Sequence, residues 1–88
     1  MTEIDLSQSD KVREYCKINY VDIAKKHGLL SIAIRAGDVH SKLKLSNQLP
    51  LVCAALGANK FEECCGVRRV HIDGPLNGAN TIFVYLFK

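Results

Sequence analysis

The fold is decided by residues 36–56, which read AGDVHSKLKLSNQLPLVCAAL. In the first part of this stretch, Asp38 is placed to cap a short helix over residues 39–44. Val39 and Leu43 are four residues apart, so their side chains share one face of that helix. The stretch therefore opens with a short amphipathic helix.

A further helix is predicted directly after a tight turn at residues 45–47. Asn47 is a strong N-cap for a helix that runs from Gln48 to about Asn59. Pro50 falls in the first turn, where its missing N–H costs no hydrogen bond. Apolar residues at helical spacing form the inward face: Leu49, Val52, Cys53 and Leu56, continued by Phe61.

Upstream of this unit, the sequence predicts a longer first helix that starts near Ser7 or Ser9. Gly28 is expected to end it in a left-handed conformation, after the cations Lys25 and Lys26. The helix carries an apolar stripe at spacings of four, four and three, formed by Val12, Cys16, Tyr20 and Ile23.

Three short segments have the character of strands. Residues 29–35 (LLSIAIR) predict one strand of about five residues. Residues 67–73 alternate with period two, and residues 81–87 (TIFVYLF) are β-branched and aromatic. The loop between the last two, residues 74–80, contains Asn-Gly and predicts a hairpin. Because an isolated hairpin is marginal in water, we expect it to pair with the strand of Ile32.

The predicted order is helix, strand, helix, helix, strand, strand, which is an α+β fold with three helices and a small antiparallel sheet. With residues 34–40 (IRAGDVH) and 45–56 (LSNQLPLVCAAL), this order resembles the winged-helix (winged helix-turn-helix) family. It is most similar to small prokaryotic domains that are free-standing or appended to helicase-related proteins. The resemblance runs from about Tyr15 onward. We therefore expect a flexible acidic tail over residues 1–8 and a single winged-helix domain over residues 9–88.

The resemblance implies binding to duplex DNA. Winged-helix domains that bind DNA usually present the helix after the turn to the major groove, while the hairpin touches the backbone or the minor groove. Asn and Gln can pair with adenine, and Lys or Arg can neutralise phosphates. The residues that this implies as contacts are Lys42, Lys44, Asn47, Gln48, Asn59, Lys60 and Arg69.

Other interpretations of these residues stay open. Asn47 is often simply a cap, and Gln48 can be solvated. The middle of the third helix has no Arg, the residue that most often reads guanine. The alternative function is therefore a protein-interaction or dimerisation module on the same fold. It would use the Arg-free helix or an exposed side of the last strand with Phe83, Tyr85 and Phe87.

Charge and composition agree with either function. The net charge is +3, and residues 11–88 hold all 12 basic residues but only six of the nine acids. A mildly basic body is compatible with a polyanionic partner. The acidic first residues do not have the pattern of a signal peptide, and no apolar run is long enough for a membrane span. We expect a cytoplasmic protein with no membrane partner.

Catalytic and metal-binding motifs are not evident in the sequence. Cys16 and Cys53 fall on inward faces, and all four cysteines are expected to be reduced thiols. His40, His71 and the adjacent pair Cys64 and Cys65 lack the spacing of a zinc site. No glycine-rich phosphate loop occurs. We expect a protein that is not an enzyme and that needs no metal or cofactor.

Overall fold

The computed structural model describes residues 8–75 and 77–88 and has an α+β fold. The predicted tail falls mostly on residues 1–7, which lie outside the described residues, and Gln8 belongs to the first helix. In chain order the elements are α1 (Gln8–Cys16), a π-helical segment (Lys17–Val21), α2 (Asp22–Lys26), β1 (Ser31–Arg35), α3 (Ala36–Lys42), α4 (Leu49–Gly57), α5 (Asn59–Cys65), β2 (Val67–Asp73) and β3 (Ile82–Phe87).

The first three elements follow one another without a break. Val12 and Cys16 are buried, as the predicted stripe requires. Beyond them the prediction holds only in part: Tyr20 is half-buried against the core, the unpredicted Val21 is fully buried, and Ile23 is wrong because its side chain is 48% exposed. The π-helical hydrogen bonds span one residue more than α-helical ones and rotate the buried face by one position. Among the described residues, no helix has the length and apolar character that crossing a bilayer requires.

The end of α2 confirms the predicted role of Gly28, which has a φ of 70°. Its N–H donates to the carbonyl of Lys25 over 3.1 Å, and the Leu29 N–H donates to Ala24 over 2.9 Å. These two bonds form a Schellman motif, which satisfies carbonyls that the helix itself leaves unpaired. β1 begins three residues after Gly28.

The described strands form one antiparallel sheet in the order β1–β3–β2. The expected pairing of the hairpin with the first strand is confirmed, because Ile32 lies opposite Tyr85. The register of β2 shifts between Arg69 and His71, which places Val70 in a bulge.

One face of the sheet packs on the helices and forms the core. Ile34 and Val67 point to this face with Phe83 and Tyr85 from β3, and Tyr85 also contacts the ring of Phe61 at 5.1 Å between centroids. The expectation that the aromatic side of β3 is exposed is therefore wrong for Phe83 and Tyr85. The aromatic rings have a larger apolar area than the aliphatic side chains on the other side of β3. Burying the aromatic side therefore removes more apolar surface from water than burying the aliphatic side would.

The third predicted helix corresponds to α4, which ends at Gly57, and a further helix outside the predicted bounds, α5, follows it. Ala58 is extended with φ −81° and ψ 147°, and α5 begins at Asn59. The sheet supplies the reason, because the Tyr85 hydroxyl donates to the carbonyl of Leu56 over 2.6 Å and the Arg69 guanidinium donates to Gly57. Burial raises the pKa of the Tyr85 hydroxyl above its usual range, so this donor keeps its proton.

α3 also departs from its predicted bounds, because it begins at Ala36 and not after Asp38. Asp38 lies within the first turn, where it accepts a hydrogen bond from Arg35 over 2.8 Å instead of capping the helix. The β2–β3 loop takes over the cap: the carbonyls of Thr81 and Ala79 accept the N–H groups of Ala36 and Gly37, each over 2.9 Å. These are N–H groups that have no partner inside a helix.

Gly37 should tolerate no side chain, because a Cβ there would lie 2.6 Å from the carbonyl oxygen of Ala79. We expect Gly37→Ala to lower the free energy of unfolding by about 1–2 kcal/mol, since the cost of overpacking exceeds the helix propensity that Ala gains.

Gly57→Ala is the matched control, because a Cβ there would meet only ordinary contacts at 3.7 Å or more. Urea unfolding of both variants and the parent checks the prediction. Equal stability of the two variants would contradict the docking of the loop on α3.

Candidate nucleic-acid interface

The centre of the candidate interface is the turn between α3 and α4. α3 ends in a Schellman motif, in which the N–H of Lys44 donates to Ser41 and the N–H of Leu45 donates to His40, each over 3.1 Å. Lys44 occupies the left-handed position of this motif with a φ of 55°, where glycine is usual. The local backbone therefore holds Lys44 outward, and its side chain is exposed.

His40 connects the two helices across the turn. Its Nε2 atom accepts the N–H of Gln48 over 3.1 Å, which satisfies one of the donors at the start of α4. Gln48 is the N-cap residue of α4, and Pro50 lies in the first turn as predicted. The prediction that Asn47 is the N-cap is wrong, because Asn47 has a φ of 54° and precedes the cap. Asn tolerates this left-handed conformation better than most residues.

Four of the seven residues expected at the interface lie together on this turn. Lys42, Lys44 and Asn47 are exposed, and Gln48 is half-buried. No ion pair within the described residues engages either lysine. The turn therefore presents two cations and two amides on one short stretch of surface.

The other three expected residues lie away from the turn. Asn59 and Lys60 begin α5, beyond the far end of α4. The ammonium of Lys60 lies 3.1 Å from the carboxylate of Asp10 on α1. Arg69 is half-buried, and its guanidinium donates to the carbonyl of Gly57. Its backbone N–H donates to the Glu62 carboxylate over 2.9 Å. Lys60 and Arg69 thus have intramolecular partners in this structure.

The distribution of charged residues along the chain also places the exposed positive charge of this region at the turn. Residues 39–61 contain three lysines and no Asp or Glu. With Lys60 held by Asp10, the exposed positive charge of this stretch is concentrated at Lys42 and Lys44. The region would therefore attract a polyanion at the start of α4 and not along its length.

The exposed side of α4 itself is uncharged. Pro50 and Ala54 are exposed, and neither they nor the rest of Leu49–Gly57 carries a charge. A shallow groove of about 170 Å³ runs between this side and the hairpin. It is lined by Cys53, Ala54, Gly57, Arg69, Ile72, Asn77, Thr81 and Phe83.

The β2–β3 loop offers little additional charge. Residues 74–80 contain no Lys or Arg, and Asn80 accepts a hydrogen bond from Arg35 over 2.7 Å. With Ala79 and Thr81 bonded to the start of α3, this part of the loop belongs to the body of the domain.

Sequence reasoning missed Ser46 and the role of His40. Ser46 is exposed between Lys44 and Asn47, and its hydroxyl is a suitable donor to a phosphate. The sequence feature that points to Ser46 as a phosphate donor is a hydroxyl within the turn between two predicted helices. The sequence suggests only a metal-ligand role for His40, because its hydrogen bond to Gln48, eight residues along the chain and across a turn, leaves no periodic pattern in the sequence.

Comparisons with family models, with curated proteins and with solved structures found no match for this chain.

The left-handed conformation of Lys44 gives a prediction that separates its backbone role from its charge. Lys44→Gly and Lys44→Ala remove the same cation, but Gly fits the backbone and Ala does not. We expect the Gly variant to be more stable than the Ala variant by about 1 kcal/mol in urea unfolding.

Lys42 provides the control, because it is the last residue of α3 and is not left-handed, so that Ala is preferred to Gly there by up to about 1 kcal/mol. The order of the two variants should therefore reverse at Lys42. The same order at both positions would contradict the left-handed turn.

Proposed function

We propose that this chain is a winged-helix module that binds duplex DNA mainly through the phosphates, with the turn between α3 and α4 as the contact. The order of elements supports it: a helical run, β1, α3, α4 with α5, and the β2–β3 hairpin. In this assignment α3 and α4 form the helix-turn-helix, and the hairpin is the wing.

The observation that carries the proposal is the exposed pair Lys42 and Lys44 at the entrance to α4. Cations on the turn beside the N-terminal end of the next helix are a combination that suits a phosphate. Asn47 and Gln48 stand beside them and have the donor and acceptor pattern that adenine can pair with.

The uncharged side of α4 determines how sequence-specific the proposed DNA binding is. Without Arg or Lys on that side, the guanine contact that is commonest in specific readers is not available. We therefore propose binding with weak sequence preference. The dissociation constant should be about 10⁻⁴ to 10⁻⁶ M near physiological salt. The groove between α4 and the hairpin is not part of the proposed DNA contact.

Two phosphate contacts give a measurable salt dependence. The slope of log K against log salt should be about −1.8, so binding weakens about tenfold when salt rises fourfold. Replacing Lys42 and Lys44 together by Gln should remove most of this slope. Fluorescence anisotropy with a labelled duplex of mixed sequence measures both quantities.

The matched control is the double replacement of Lys26 and Lys88 by Gln, which changes the net charge equally at other exposed lysines. It should retain most of the affinity. Equal losses in the two double variants would show that net charge, and not the turn, attracts the DNA.

A second candidate function is dimerisation through the outer face of the sheet. Because the aromatic side of β3 is buried, the aliphatic side chains of Ile82, Val84 and Leu86 point away from the core, and Leu86 is exposed. Val70 in the bulge of β2 is exposed on the adjacent strand. A row of aliphatic side chains on a sheet face is a surface that favours association.

Sedimentation over a range of concentrations tests this candidate. If it holds, the parent forms a dimer, Leu86→Lys is monomeric, and Ala54→Lys on α4 still dimerises. A parent that stays monomeric at every concentration contradicts it.

A further inference from the structure

The two adjacent cysteines at the end of α5 form a close pair of free thiols. Cys64 and Cys65 have their Sγ atoms 3.3 Å apart. Cys64 is exposed, whereas Cys65 is buried against the core. One sulfur of the pair is therefore open to a reagent, and the second lies directly behind it.

The backbone geometry disfavours a disulfide between the two residues. Neighbouring Cα atoms are about 3.8 Å apart across a trans peptide, whereas a disulfide needs about 4.4–6.8 Å. The sulfurs would also have to approach each other by more than about 1 Å. A single atom that bonds to both sulfurs requires neither a longer Cα–Cα distance nor a closer approach of the sulfurs, because each sulfur can stay close to its present position.

The surroundings of Cys64 give such an atom and its substituent room to enter. Cys64 lines a groove of about 350 Å³ between α1 and α5. The rest of the lining is of mixed charge: Asp10, Arg13, Glu14, Lys17 and Lys60.

We propose that Cys64 and Cys65 form a two-thiol site for trivalent organic arsenic compounds. With phenylarsine oxide, two As–S bonds form and the As–O bond breaks. The two thiol protons leave on the oxygen as water, so no oxidant or reductant is needed. The site lies on α5, shares no residue with the turn between α3 and α4, and does not depend on the proposed DNA binding.

The test uses one equivalent of phenylarsine oxide and the full chain, followed by intact-mass spectrometry. The parent should gain one phenylarsenic group, keep it in excess glutathione, and lose it to a dithiol. Cys64→Ser is an exposed substitution that leaves the core unchanged. It should hold the group at least about a hundredfold more weakly, since a second thiol at high effective concentration is lost.

Three further variants complete the design. Cys65→Ala should weaken retention as Cys64→Ser does, while Cys16→Ala and Cys53→Ser should retain the group like the parent. Retention of the group by Cys64→Ser, or its loss from the parent to glutathione, would overturn the proposal. Loss of retention in a Cys16→Ala variant with an unchanged circular dichroism spectrum would overturn it as well.

Discussion

Two hydrogen bonds from the sheet to the last turn of α4 determine how the domain is arranged. Arg69 and Tyr85 lie opposite each other on β2 and β3, and their side chains bind the carbonyls of Gly57 and Leu56. Such bonds contribute about 0.5–3 kcal/mol each, with the charged donor at the upper end. Removing either donor would leave a carbonyl without a partner at the helix end, a further cost of about 1–3 kcal/mol if water cannot reach it.

Side-chain hydrogen bonds from outside the helix act at both ends of α4. At its C-terminal end, the carbonyls are satisfied from outside the helix, so the chain can turn through Ala58 into α5. At the N-terminal end, the bond between His40 and Gln48 fixes α3 against the same helix. The exposed lysines of the turn are thereby held on a rigid support, which reduces the entropy lost when they meet a ligand.

The structure also divides the positive charge of the chain into two groups. Arg69 and Lys60 bind Gly57 and Asp10, and Lys25 donates to the carbonyl of Cys65 over 2.9 Å. These cations stabilise contacts between elements. Among the described residues, Lys42 and Lys44 have no such partner, as is also true of Lys11, Lys26, Arg68 and Lys88. The proposed interface is centred on Lys42 and Lys44 because these two lie on the turn.

Features that depend on neighbouring residues could be predicted from the sequence. Gly28 at the end of α2, the five-residue β1 and the hairpin all follow from local pattern and turn chemistry. Of the expected contact residues, those on the turn lie together because they are close in sequence. The π-helical shift of the first stripe has no compositional signal.

Features that depend on distant partners could not be predicted. α3 begins early because carbonyls of Ala79 and Thr81 accept its first N–H groups. α4 ends at Gly57 and is followed by the separate helix α5 because Tyr85 and Arg69 bind the last carbonyls of α4. Arg69 was expected at the interface for its charge. Its structural partner, the carbonyl of Gly57, carries no side-chain signal that a sequence could show.

The most direct measurement is an amide NMR titration of the ¹⁵N-labelled chain with a short duplex of mixed sequence. The account predicts shifts concentrated at residues 40–50, around the turn and the start of α4. Shifts confined to Arg68, Val84 and Leu86 on the outer face of the sheet, or no shift at any residue, would contradict it.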